Sequence, residues 1–239
     1  EYFLSPAMSN SEGKMYAIDA EYAKFINPVA IRRMSRMLKM GITAGMRSLA
    51  DARVQTPDAI MVGTSRGSVT DMEIFLHELI ELKEQALNPS GFIQSTYNSV
   101  NGWLAMLSKC TAYNQTYVHR GFSLELCLFD AMLTMSEASG KKYLLAGAFD
   151  ELTDEYFGIR NKIGYYKKDI SHSLALLDSG NTPGSICGEG AHFFTLSNDP
   201  ADTACGIYSL EMLQKPTAGE VLTAISRILH QNNLKNEDI

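Results

Sequence analysis

The chain is 239 residues long, 45% apolar and 20% charged, with a formal net charge of −6. That apolar content can offset the ordering entropy of a core, which excludes disorder, and the length fits one large α/β domain or two small ones. No run of about 18 apolar residues lacks a polar break, so no membrane span is expected, and an acidic balance without a long basic run argues against nucleic acid as a partner.

In chain order, Asn27-Pro28 precedes a segment from about Ile31 to Ala52 that reads as one long helix. Its basic cluster Arg32-Arg33-Met-Ser-Arg36 reads as a solvated or packed helix face. Pro57 to Val62 reads as a short buried strand closed by Gly63-Thr-Ser-Arg-Gly67. Met72, Phe75, Leu76, Leu79 and Ile80 recur at helical spacing and predict a helix with one apolar stripe. Pro89-Ser-Gly91 precedes another helix, from about Tyr97 to Leu107. Thr116 to His119 is a candidate strand, since two of its residues have high β propensity.

A sharp turn at Arg120-Gly121-Phe122 leads into a helix beginning near Ser123, with Leu124, Leu128, Ala131, Met132 and Met135 as its core stripe and Ser139-Gly140 as its end. Tyr143 to Ala148 reads as a strand, as do Ile186 to Leu196 and Gly206 to Leu210. The capping box Thr217-x-x-Glu220 opens a final helix with the stripe Val221, Ile225, Ile228 and Leu229. No repeat or linker divides the chain, and strands alternating with helices predict a layered α/β fold with helices covering a mixed sheet.

The segment with most chemistry in it is the strand, turn and helix from Tyr117 to Met135. A residue where a strand turns into a helix N-terminus sits among unpaired N–H groups at the positive end of the dipole, which suits a nucleophile. Here that residue is Ser123, for which the alternative is a plain helix cap. Cys127 falls on the apolar stripe one turn later, where a cysteine reads first as a small core residue. His119 ends the strand, either as a base for the serine or as a surface or interface histidine.

Gly63 to Gly67 lacks both nucleotide-loop spacings, so no nucleotide is expected there. Small residues in Gly184 to Ala191 point to close backbone packing, with Glu189 either a buried hydrogen-bonding carboxylate or a solvated turn residue. The four cysteines, Cys110, Cys127, Cys187 and Cys205, form no CxxC pair and no cluster with histidine. Neither a metal site nor a disulfide framework is expected, no cofactor is implied, and a reduced cytoplasm is the default compartment.

Taken in order, these segments resemble one family. They are Arg33-Met-Ser-Arg36, Gly63-Thr-Ser-Arg-Gly67, Phe92-Ile-Gln-Ser-Thr96 leading to Asn98, the elbow at Ser123, Leu145-Ala-Gly-Ala148 and Cys187-Gly-Glu-Gly-Ala191. From about Asn27 onward the chain resembles the N-terminal half of a β-ketoacyl synthase, and more particularly a divergent bacterial ketosynthase-like family. The resemblance implies a thiolase-like layered α/β/α fold over residues 1–239, comprising the first half and, from about 204 to 239, the start of the second.

Active members of that family take an acyl group from a carrier protein onto an elbow cysteine. Two histidines then assist decarboxylation of malonyl carrier protein, and the carbanion attacks the thioester. Anchored on Ala146-Gly147, the nucleophile position falls on Ser123, flanked by Phe122, Leu124 and Glu125 where small residues are expected. The two histidines belong to the second half, and Asn233 to Ile239 resembles the approach to the first of them, so the resemblance implies a native polypeptide longer than this chain or a partner covering its open face.

The implied partners are acyl carrier protein with its acyl-phosphopantetheine and a dimer mate, either a second copy or an active ketosynthase, paired through the edge strand near Tyr117 to His119. Three readings follow: a non-condensing, chain-length-factor-like partner subunit; an active condensing enzyme using Cys127 through a shifted elbow or a partner's site; and an acyltransferase or hydrolase acylated on Ser123. A serine hydroxyl without a base is a weak nucleophile, which favours the first.

Overall fold

The computed structural model describes residues 13–168, 183–203, 205–235 and 237. The long helix expected from about Ile31 starts later, at Arg36, and a short helix precedes it. Pro28–Ile31 (α1) is capped by Asn27, and Arg36–Asp51 (α2) starts only after Ser35, whose backbone is extended and whose hydroxyl accepts the Leu38 N–H. A serine offering its oxygen to the first turn opens α2, whereas α1 has already ended at Arg32.

Four strands make the central sheet: Ala59–Thr64 (β2), Tyr113–Val118 (β3), Tyr143–Asp150 (β4) and Gly190–Ser197 (β6), in the order β3-β2-β4-β6. β2 runs parallel to β3 and β4, and β6 antiparallel to β4. A separate two-stranded pair joins Lys14–Met15 (β1) to Cys187–Gly188 (β5). The remaining helices are Val69–Glu81 (α3), Pro89–Gln94 (α4), Ser99–Ser108 (α5), Ser123–Ser136 (α6), Asp154–Lys162 (α7) and Ala218–Gln231 (α8).

β2 is buried along its whole length because both sheet faces are covered. Ile60, Val62, Leu145 and Phe149 join Leu38, Ile42 and Leu49 of α2 and Val100 and Leu104 of α5 in one core. On the other face Ala59, Met61, Leu144 and Ala146 pack with Cys127 and Ala131 of α6. This is the period-2 alternation of a two-sided sheet. α2 and α5 approach closely because Gly45 faces Leu104; a Cβ there would lie 2.6 Å from Leu104 Cδ2.

Several elements depart from expectation. In α3 the stripe is only partly buried: Phe75 meets Phe92 of α4 at a ring-centroid distance of 5.4 Å, while Met72, Leu76 and Ile80 are exposed, Ile80 at 72%. On α6 the fully buried residues are Cys127 and Ala131, so the inward stripe is centred on the cysteine. α8 forms with its capping box in place, but it buries only Ala224 fully, with Val221 and Ile225 exposed. Gly206 to Leu210 is not a strand, since no ladder pairs it; Ile207 and Tyr208 line a groove against Leu128 and Met132 of α6 and Phe194 of β6. α7 has no apolar stripe to read from sequence, and its ends are set by the Thr153 cap, early acids and late bases.

β3 begins three residues earlier than expected and stops before His119, and it lies at the edge of the sheet. The strand expected over 186–196 breaks at Glu189, where the chain passes from β5 to β6. Of the segment read as the approach to the second half, Asn236, Asp238 and Ile239 fall outside the described residues.

Candidate functional site at the strand–helix elbow

The carboxyl ends of the three parallel strands converge on one rim of the sheet, the place where open α/β sheets hold their ligands. The elbow between β3 and α6 sits on this rim. His119 N–H donates to Thr64 O at 3.1 Å, tying the end of β3 to the end of β2. Phe122 then takes the N-cap position, and Ser123 is the first helical residue. The capping alternative for Ser123 is therefore corrected: the cap is one residue earlier, and no side chain caps α6. The amides of its first turn are left available to a developing negative charge.

The elbow is held by His119. Its Nδ1 accepts the Gly121 N–H at 3.1 Å and the Phe122 N–H at 2.9 Å, and its ring stacks on Phe122 with centroids 5.4 Å apart. An Nδ1 that accepts two N–H groups carries no proton, so in the neutral ring the proton is on Nε2. The one basic lone pair is then committed to the turn, and His119 has none with which to deprotonate Ser123. Sequence offers His119 as a base or as a surface or interface residue; its bonding depends on the conformation of the turn.

Gly63 places α6 on the sheet. A Cβ built on it would lie 2.4 Å from the Ser123 carbonyl oxygen and 3.0 Å from Ser123 Cβ. Its role is close approach within β2 rather than closure of the following loop. One turn on, Cys127 is 0% exposed, and burial, then the charges of Asp130 and Glu125, push its thiol up to about 12. It packs inside the α6 layer and is protonated at neutral pH.

The loop after β2 is filled by the chain itself. Asp150, at the end of β4, accepts the Ser65 and Arg66 N–H groups at 3.1 and 3.2 Å, the Thr64 hydroxyl at 3.1 Å and the Ser65 hydroxyl at 2.7 Å. These are the amides a phosphate would have used. Beside it, Glu151 is buried and accepts the Thr70 N–H at 2.8 Å, at the start of α3. Burial pushes its carboxyl up, against the lowering effect of the Thr70 hydrogen bonds, and the neighbouring Asp71 charge adds to the rise.

Glu189 is resolved as a buried hydrogen-bonding carboxylate, its side chain 1% exposed. It pairs with Arg36 Nη1 and accepts Ala17 N–H at 3.0 Å and Leu152 N–H at 3.2 Å, while Arg36 Nη2 donates to Ala17 O at 2.6 Å. Arg36, read as part of a helix face, thus clips the segment after β1 to the junction of β5 and β6. Among the described residues no group of His, Cys, Asp and Glu is arranged to hold a metal ion, and no helix is long and apolar enough to cross a membrane.

The fold is layered α/β, with parallel strands meeting a strand–helix elbow at one rim, and structural comparison finds the same fold in ketosynthases. A β-ketoacyl synthase from Burkholderia phymatum superposes with a TM-score of 0.62 at 17% identity, over 91% of this chain and 58% of that one. A type II PKS acyl-carrier protein in complex with its ketosynthase bound to the hexaketide gives 0.59 at 17% identity, over 79% and 54%. A ketosynthase in complex with its chain length factor, from Xenorhabdus doucetiae, gives 0.50 at 19% identity, over 65% and 63%. The chain thus spans little more than half the length of the structures it matches. Residues 7–218 match the family described as beta-ketoacyl synthase, N-terminal domain, and the chain belongs to that family. A search of curated proteins finds no match.

Proposed function

We propose that the protein is a non-condensing, chain-length-factor-like partner subunit of a fatty-acid or polyketide-type ketosynthase. The observation that carries this reading is the elbow itself: a serine stands first in α6, and the nearest histidine in sequence has its basic lone pair committed to backbone amides. A hydroxyl without a base attacks a thioester far more slowly than a thiolate does. The burial of Cys127 weighs against the alternative nucleophile, and the same lack of a base weighs against acylation of Ser123 in a transferase or hydrolase. The edge position of β3 supports pairing through that strand with a ketosynthase or with a second copy, and acyl carrier protein is the substrate carrier such a pair would engage.

The test is co-expression with an active ketosynthase, followed by condensation assays with acyl and malonyl carrier proteins. The expected result is a stable complex in which product requires the partner's cysteine, and no product from this protein alone. Condensation by this protein alone, or an acyl group trapped on Ser123, overturns the reading.

A further inference from the structure

Among the described helices, α1, α2, α4, α7 and α8 are capped at the N-terminus by their own Asn, Ser or Thr side chain, and α3, α5 and α6 are not. The entry turn of α6 is instead stabilised from behind, by a histidine in the preceding segment. The Gly121 and Phe122 N–H groups both point at one unprotonated ring nitrogen, and the ring rests on the Phe122 side chain. Gly121 contributes its N–H and not its missing side chain, since a Cβ there would meet only His119 Cε1, at an ordinary contact distance of 4.0 Å. Because the acceptor sits before the helix, the turn is fixed without a side-chain cap on the first amides of α6.

We propose that His119 is the positioning residue of the elbow: its bare Nδ1, with the proton on Nε2, holds Gly121 and Phe122 so that Ser123 and the first-turn amides of α6 stand at the rim of the sheet without a side-chain cap. It acts through the backbone and touches no reacting atom. The inference rests on reading the elbow as the site, but the two fail separately. Condensing activity would overturn the partner role and leave the His119 tautomer unchanged.

The experiment is nuclear magnetic resonance on the intact chain labelled with nitrogen-15. Long-range proton–nitrogen correlation of the unmodified protein is expected to show Nδ1 unprotonated and Nε2 protonated. Amide exchange at Gly121 and Phe122 is expected to rise about tenfold in His119→Ala, the factor that one or two neutral hydrogen bonds supply. His119→Phe keeps the stacked ring and loses the acceptor, and should exchange like His119→Ala. His119→Asn places Oδ1 on Cγ, where Nδ1 stands, and should restore the protection. A proton on Nδ1, protection kept in His119→Phe, or protection lost in His119→Asn overturns the proposal. The tautomer measurement on the unmodified protein decides the matter even where a variant fails to fold.

Discussion

Gly63 of β2 lies directly beneath Ser123, the first residue of α6: a Cβ on the glycine would stand 2.4 Å from the serine's carbonyl oxygen. The contact is with backbone, which cannot rotate away, so an added methyl must lift the helix from the sheet. Gly63→Ala is expected to cost about 1–3 kcal/mol. Gly102, exposed in α5 with nothing within 4 Å of its Cβ position, is the control, and Gly102→Ala should gain about 0.5–1 kcal/mol from helix propensity. Thermal unfolding of the two variants reads the opposite signs, and equal melting temperatures would mean that the elbow does not press on β2.

Thiol chemistry reports on the elbow from another side. Cys127 is fully buried with its thiol pushed up to about 12, whereas Cys205 is exposed. Iodoacetamide at neutral pH should label Cys205 and leave Cys127 untouched until the protein is unfolded, as read by mass spectrometry. Ser123→Cys should react faster than Cys205, because uncapped first-turn amides favour a thiolate. Slower labelling at position 123 would show that the amides are not available there.

Arg36 and Glu189 form the clip between α2 and the β5–β6 junction. Arg36→Met leaves a carboxylate that is 1% exposed with, among the described residues, the Ala17 and Leu152 N–H groups for partners. That change is expected to cost about 2–3 kcal/mol, a value kept moderate because the arginine side chain is itself 37% exposed. Adding Glu189→Gln should recover part of the loss, since no unpaired charge remains. Urea unfolding of the single and double variants measures the coupling.

Acid sensitivity should concentrate in part at Asp58. Burial raises its carboxyl, but the Lys142 ammonium at 2.8 Å and the Tyr143 N–H at 2.9 Å outweigh it and hold the group below its ordinary range. As pH falls, the unfolded chain takes up the proton first. The contribution is therefore complete above the ordinary value of 3.8 and is lost as pH drops through the folded value. Asp58→Asn should flatten the decline in urea midpoint between about pH 5 and about pH 3; an unchanged slope would place the sensitivity elsewhere.

Local patterns were enough for much of the architecture. The start of α6 at Ser123, the strand at Tyr143, and the Thr217–Glu220 capping box all rest on spacing and on residues within a turn of one another, and each stands where the sequence places it. Burial was less legible. The stripes of α3 and α8 have the right period, yet a period states only that a face is apolar, and whether that face is covered depends on which elements lie against it. The Gly206 to Leu210 segment has strand composition but forms no ladder with any of the described residues.

The site divides in the same way. Sequence alone determined the family and an elbow whose helix opens on a serine, because these follow from residue identity and order. Tertiary structure decided what those residues can do. Asp150 fills the loop after β2 from 84 to 86 residues away, Glu189 reaches Arg36 across 153 positions, and Gly63 makes room for Ser123. The lone pair of His119 goes to two amides that face it only once the turn has closed. Hydrogen bonds and close contacts are set by distance and direction in space, which a linear order of residues does not carry.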